Sequence, residues 1–148
     1  MFLDDSKAIY DAMVASQEAT YEYLSLMQAA LIEALPPGKA ISAFGGLLYI
    51  QSHSISSGAI ITTFTYRNAH GEMHAYSVDS NQWPLSSWIE SLQKLMVYAK
   101  RFDAGWCIVD TKTKQVLSDV FYGDRYECRD RMIEIIKARL KETPLTWG

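Results

Sequence analysis

Hydrophobic positions along the chain follow two periods, one helical and one strand-like. From Asp4 to Leu35, apolar or small residues recur at Ile9, Met13, Ser16, Thr20, Leu24, Met27, Leu31 and Leu35. Steps of three or four mark one face of an α-helix, and the stripe is least apolar at Ser16 and Thr20. Asp4 and Asp5 carry negative charge where a helix N-terminus favours it, and Pro36-Pro37-Gly38 ends the run. About 30 residues at ~1.5 Å each span ~45 Å, more than a small domain needs. The segment is therefore expected to project its first turns or to divide into two helices.

The period then changes. Ala40 to His53 contains the run Leu47-Leu48-Tyr49-Ile50, with Gly45-Gly46 expected to place a bulge or a close backbone approach within one strand. Ala59 to Tyr66 alternates most cleanly, with Ile60, Thr62, Phe64 and Tyr66 on one face and Ile61, Thr63 and Thr65 on the other. Asn68-Ala69-His70-Gly71 reads as a hairpin connection, and Met73 to Val78 as the return strand. Leu85, Trp88, Ile89, Leu92, Leu95, Met96 and Ala99 predict a second amphipathic helix to about Lys100, with Ser87 and Glu90 at capping-box spacing. Gly105 to Thr111 and Val116 to Tyr122 read as a strand pair. A third helix follows from Asp124 to Glu142, with Cys128, Met132, Ile135, Ile136 and Leu140 on its apolar face.

This order, α-β-β-β-α-β-β-α, predicts an α+β fold. Short hairpin connections imply a five-stranded, mainly antiparallel sheet with helices packed on it. A chain of 148 residues fits a single domain over 1–148, with 144–148 as a loose tail.

Composition narrows the function classes. A net charge of −3 argues against a basic nucleic-acid binder, and no apolar run is long enough for a transmembrane helix. Met1-Phe2-Leu3-Asp4-Asp5 lacks the positive region of a signal peptide, and Cys107 and Cys128 make no disulfide framework. A cytoplasmic protein with reduced thiols is expected. The charge is uneven: residues 1–36 hold six acids (Asp4, Asp5, Asp11, Glu18, Glu22, Glu33) against Lys7. Such a segment fits either a solvated helix face or an attractive surface for a basic partner.

Candidate chemistry is sparse. His70, Glu72 and His74 are spaced by two, and two histidines with a carboxylate are ligand types for iron or zinc. The plainer reading is a polar hairpin tip, because His70 falls in the turn where alternation fails, and no metal is expected. Cys128 lies among Arg125, Arg129 and Arg131, which lower a thiol pKa, but the one histidine away from the hairpin is His53. Cys107 reads as core. No phosphate-cradling glycine loop is present, and the bases of the third helix interleave with acids as in an ion-paired surface. No catalytic residues and no cofactor are expected. Nine tyrosines and four tryptophans are many, and both types are over-used at protein interfaces. Tyr21 and Tyr23 are two residues apart, so both cannot lie on one helical stripe. Asp4, Asp5, Asp11, Glu18, Glu22, Tyr21 and Tyr23 are the candidate partner-binding residues.

Residues 29–124 resemble the YezG-type immunity proteins of polymorphic toxin systems. The resemblance lies in Ile32-Glu33-Ala34-Leu35-Pro36 closing a helix and Ser57-Gly58 before a strand ending at Tyr66. It continues through Gly71-Glu72 in the hairpin, Gly105-Trp106 opening a strand, and Phe121-Tyr122-Gly123-Asp124. It implies a cytoplasmic protein that binds and blocks a cognate toxin domain, for which the acidic segment suggests a basic partner such as a nuclease; a monomer and a homodimer are both open. The element order is also similar to class I type III secretion chaperones, which wrap an effector segment. A phage-encoded blocker of host defence fits the same pattern.

Overall fold

A computed structural model describes residues 21–43, 45–102, 105–117 and 124–142. The fold is α+β. Helix α1 (21–34) leads into strands β1 (Ala40–Ala43), β2 (Gly46–Ser56), β3 (Ala59–Arg67) and β4 (Met73–Asp79). Helix α2 (Leu85–Gln93), strands β5 (Val97–Phe102) and β6 (Gly105–Asp110) and helix α3 (Arg125–Glu142) follow. The first four strands form one antiparallel sheet in the order β1-β2-β3-β4, and β5 and β6 pair separately.

The helical stripe continues as expected through the described part of α1, where Leu24, Met27, Leu31 and Leu35 are all buried. They join one core with Leu48, Ile50, Ile60 and Phe64 of the sheet, Leu85 and Leu92 of α2, and Met132 and Ile136 of α3. Asp124 caps α3, its carboxylate accepting the Tyr126 N–H at 2.8 Å. The stretch before residue 21, the 144–148 tail and the 118–122 part of the expected last strand lie outside the described residues.

Four expectations need correction. The segment 40–53 is two strands, because Gly45 at φ +74° turns the chain back and pairs Ala43 with Gly46. The second helix ends at Gln93 rather than near Lys100. Leu95 and Met96 are buried in the connection, which imitates a continuing helical stripe, and Val97 then enters β5 opposite Asp110. Beyond β6, Val116 bridges Val109 and the Leu117 N–H reaches the Ile108 carbonyl at 2.8 Å, without a further described strand. The single five-stranded sheet is thus replaced by sheets of four and two strands. The Ser87–Glu90 cap is also absent: Pro84 is the N-cap of α2, with no side-chain capping bond.

A bulge decides what β2 buries. The pairing Ile50↔Phe64 is followed by Ser52↔Thr63, so Gln51 is an extra residue. Strict alternation from Leu48 and Ile50 places Ser52 and Ser54 inward; the bulge instead turns in His53 and Ile55, opposite Thr62 and Ile60. Deleting Gln51 is therefore expected to leave the same residues facing the core, with a stability loss below about 2 kcal/mol. Deleting Thr63 from β3 shifts Phe64 against Thr62 and is expected to cost more than about 3 kcal/mol. Urea unfolding of the two deletions checks both.

Candidate docking face

Two buried polar groups organise the interior. The His53 ring sits between Leu35 and Thr62: Nε2–H donates to the Leu35 carbonyl at 2.8 Å, and Nδ1 accepts from the Thr62 hydroxyl at 2.8 Å. These partners fit a neutral imidazole, and burial lowers its pKa below 6.5. The Leu35 carbonyl closes the end of α1, so a sheet residue completes the C-terminal bonding of the helix. Gln28 of α1 returns the contact, its Nε2 donating to the His53 carbonyl at 2.9 Å. Both ring nitrogens are thus occupied by the fold, and Cys107 and Cys128 are buried.

Asp110 ties together the second half of the chain. Its Oδ1 accepts the N–H groups of Lys112 at 2.9 Å and Thr113 at 2.7 Å, and its Oδ2 accepts Arg139 Nη2 at 2.7 Å. Arg139 also donates from Nη1 to the Leu95 carbonyl at 3.0 Å, so one guanidinium joins α3, the end of β6 and the segment after α2. The Thr113 N–H and then Arg139 hold the Asp110 carboxyl down at about 2, against the opposing effect of burial.

The β3–β4 hairpin uses its histidines differently from the metal-ligand alternative. Asn68 Oδ1 accepts the N–H groups of His70 at 2.9 Å and Glu72 at 3.0 Å, with Gly71 at φ +82°. This turn breaks the alternation that would have set His70 beside the other two. Glu72 and His74 do meet, at 3.5 Å, while His74 stacks on Tyr66 with ring centroids 5.5 Å apart. Among the described residues, no group of three or more His, Cys, Asp and Glu is placed to hold a metal ion.

Of the candidate partner residues, Asp4, Asp5, Asp11 and Glu18 lie outside the described residues. Tyr21 and Tyr23 are both exposed, and the Tyr23 hydroxyl accepts Gln93 Nε2 at 3.0 Å; Glu22 is half-buried.

The feature that sequence reasoning missed is the other face of the four-stranded sheet. Leu48, Ile50, Ile60, Phe64 and Val78 belong to the core shared with the helices, so their strand neighbours point the opposite way. Hydroxyl-bearing side chains line its middle: Thr65 accepts from Gln51 at 3.3 Å, and Thr63 and Ser77 bond at 2.9 Å. At the end nearest the β1–β2 turn the chemistry changes. Leu47 and Met73 are each half exposed beside Arg67, which pairs with Met73 in the register. With Tyr49, Gly45 and Gly46 they line an open cleft of about 1060 Å³. The alternation of β3 set Thr63 and Thr65 on the side opposite Phe64 without telling which side is exposed, and Leu47 and Met73 read as ordinary members of apolar strands.

Comparison with family models, characterised proteins and solved structures gives no match for this chain. Among the described residues, no helix is long and apolar enough to cross a membrane.

The two buried groups set the acid response. Above pH ~6.5 His53 is neutral in both states and its contribution is flat. Below that, the unfolded chain takes up a proton that the folded site resists, so stability falls as pH drops. The Asp110 contribution is present above 3.8 and is lost as pH falls to about 2. Asp110→Asn is expected to cost about 2 kcal/mol at neutral pH and nearly nothing at the acid end of that window. Urea unfolding of wild type and variant across pH checks it.

Proposed function

We propose that the protein acts by binding another protein, and that the partner is a toxin domain which it neutralises, as an immunity protein does. The observation that carries this reading is the open sheet face, where Leu47, Tyr49, Arg67 and Met73 surround a cleft on a rigid antiparallel scaffold. Tyr, Met and Arg are enriched at protein interfaces, and a half-exposed Leu and Met gain by being covered. The engagement of His53 and Asp110 in structural bonds supports binding rather than catalysis. The resemblance of residues 29–124 to YezG-type immunity proteins supplies the partner class.

On this reading the sheet face supplies the buried anchors. The acidic N-terminal segment, with Asp4, Asp5, Asp11, Glu18 and Glu22 beside Tyr21 and Tyr23, attracts a basic toxin such as a nuclease. The protein works in the cytoplasm, where Cys107 and Cys128 stay reduced, and needs no cofactor.

Affinity capture of the tagged protein followed by a growth-rescue assay tests the proposal. The expected result is a partner with a toxic domain whose toxicity this protein abolishes. The double variant Leu47→Asp, Tyr49→Ala is expected to weaken that complex by at least ~100-fold with an unchanged melting temperature. Asp11→Lys with Glu18→Lys is expected to slow association, most at low salt. Unchanged affinity in the first variant contradicts the sheet-face reading. Capture of an effector's N-terminal segment contradicts the immunity reading in favour of a secretion chaperone.

A further inference from the structure

The four edges of the two sheets are not equally protected. Edge β1 has four residues, β5 carries Lys100 and Arg101, and the outer side of β6 is bonded by Val116 and Leu117. Short strands, charges and covering segments are the usual means of blocking edge-to-edge pairing. Edge β4, Met73–Asp79, is less protected: its register with β3 is unbroken, it contains no Pro, Lys or Arg, its one carboxylate, Asp79, stands at its end, and Met73 through Ser77 are exposed with no described strand beside them.

The register shows which backbone groups of β4 are unused. The Asn68 N–H donates to the Glu72 carbonyl at 2.9 Å, so residues 68 and 72 form a hydrogen-bonded pair. Alternation then directs the backbone groups of His74, Tyr76 and Val78 toward β3 and those of Met73, Ala75, Ser77 and Asp79 outward. Asp79 confirms the phase: its N–H donates to Gln82 Oε1 at 2.9 Å, and its carbonyl accepts the Gln82 N–H at 3.0 Å. Among the described residues, nothing equivalent covers the outward groups of Met73, Ala75 and Ser77.

We propose that β4 pairs antiparallel with β4 of a second copy of this chain, joining two four-stranded sheets into one of eight strands about a two-fold axis at Ala75. The strand is self-complementary in that register. Ala75 faces Ala75 of the copy, and Met73 faces Ser77, each a hydrogen-bonded pair that uses the outward groups. The two exposed rings of the strand, His74 and Tyr76, meet each other across the axis, as cross-strand aromatic pairs favour. No like charges oppose: Glu72 falls beside Val78 of the copy, and Asp79 beside Gly71. The axis is normal to the sheet, so both open faces lie on the same side. The dimer stands whether or not that face binds a toxin.

Sedimentation of the full chain over a wide concentration range tests this. The expected result is a reversible monomer–dimer equilibrium. Ala75 is exposed and its outward backbone groups serve no described strand of the chain, so Ala75→Lys or Ala75→Glu is expected to leave the melting temperature unchanged. Each is expected to raise the dimer dissociation constant at least ~10-fold by opposing like charges on the axis. Mixing the Lys and Glu variants is expected to restore a heterodimer. A wild type that stays at monomer mass, or a dimer indifferent to both substitutions, overturns the proposal. So does β4 of a monomeric chain taking up an extended partner peptide instead.

Discussion

The bonds made by His53 hold the main sheet and its first helix in one arrangement. Its ring joins the last carbonyl of α1 to Thr62 of β3, and its backbone carbonyl accepts from Gln28. An apolar residue at this position leaves the Leu35 carbonyl and the Thr62 hydroxyl buried and unpaired, so the layers need a polar side chain that both donates and accepts. Neutral imidazole does this in one ring. The bulge at Gln51 is what turns that ring inward. A local irregularity in β2 thereby determines which of its later residues face the helix.

The rest follows from that commitment. Once Leu48, Ile50, Ile60 and Phe64 are given to the helices, the opposite face keeps the Thr and Ser side chains that tolerate water. The exceptions at its end, Leu47 and Met73 beside Arg67, are apolar residues left in solvent by an otherwise well-filled core. The second half of the chain is fastened separately, through Arg139 to Asp110 and the Leu95 carbonyl.

The sequence carried the helical stripe of α1, the alternation of β3, the Asn68–Gly71 turn and the apolar face of α3, because each is a local pattern strong enough to be read alone. It misled at Leu95 and Met96, whose spacing continues a helical stripe although they sit in a connection. It misled also at Gly45-Gly46, where positive φ reverses the chain. The roles of His53 and Asp110 were not legible, since each depends on partners distant in sequence: Leu35 for one, Arg139 for the other. The docking face was half legible. The alternation of β3 separated Thr63 and Thr65 from Phe64 without saying which side is outward, and nothing local distinguishes an exposed Leu47 from the buried Leu48 beside it.

The face of the four-stranded sheet that the described helices leave open is the proposed site of partner binding. Hydroxyl-radical footprinting of the protein, alone and in complex with its captured partner, tests it most directly. Protection of Leu47 and Tyr49 on complex formation, with the exposed Tyr126 unchanged as an internal reference, is the predicted result. Equal reactivity of Leu47 and Tyr49 in the free and bound protein would contradict it.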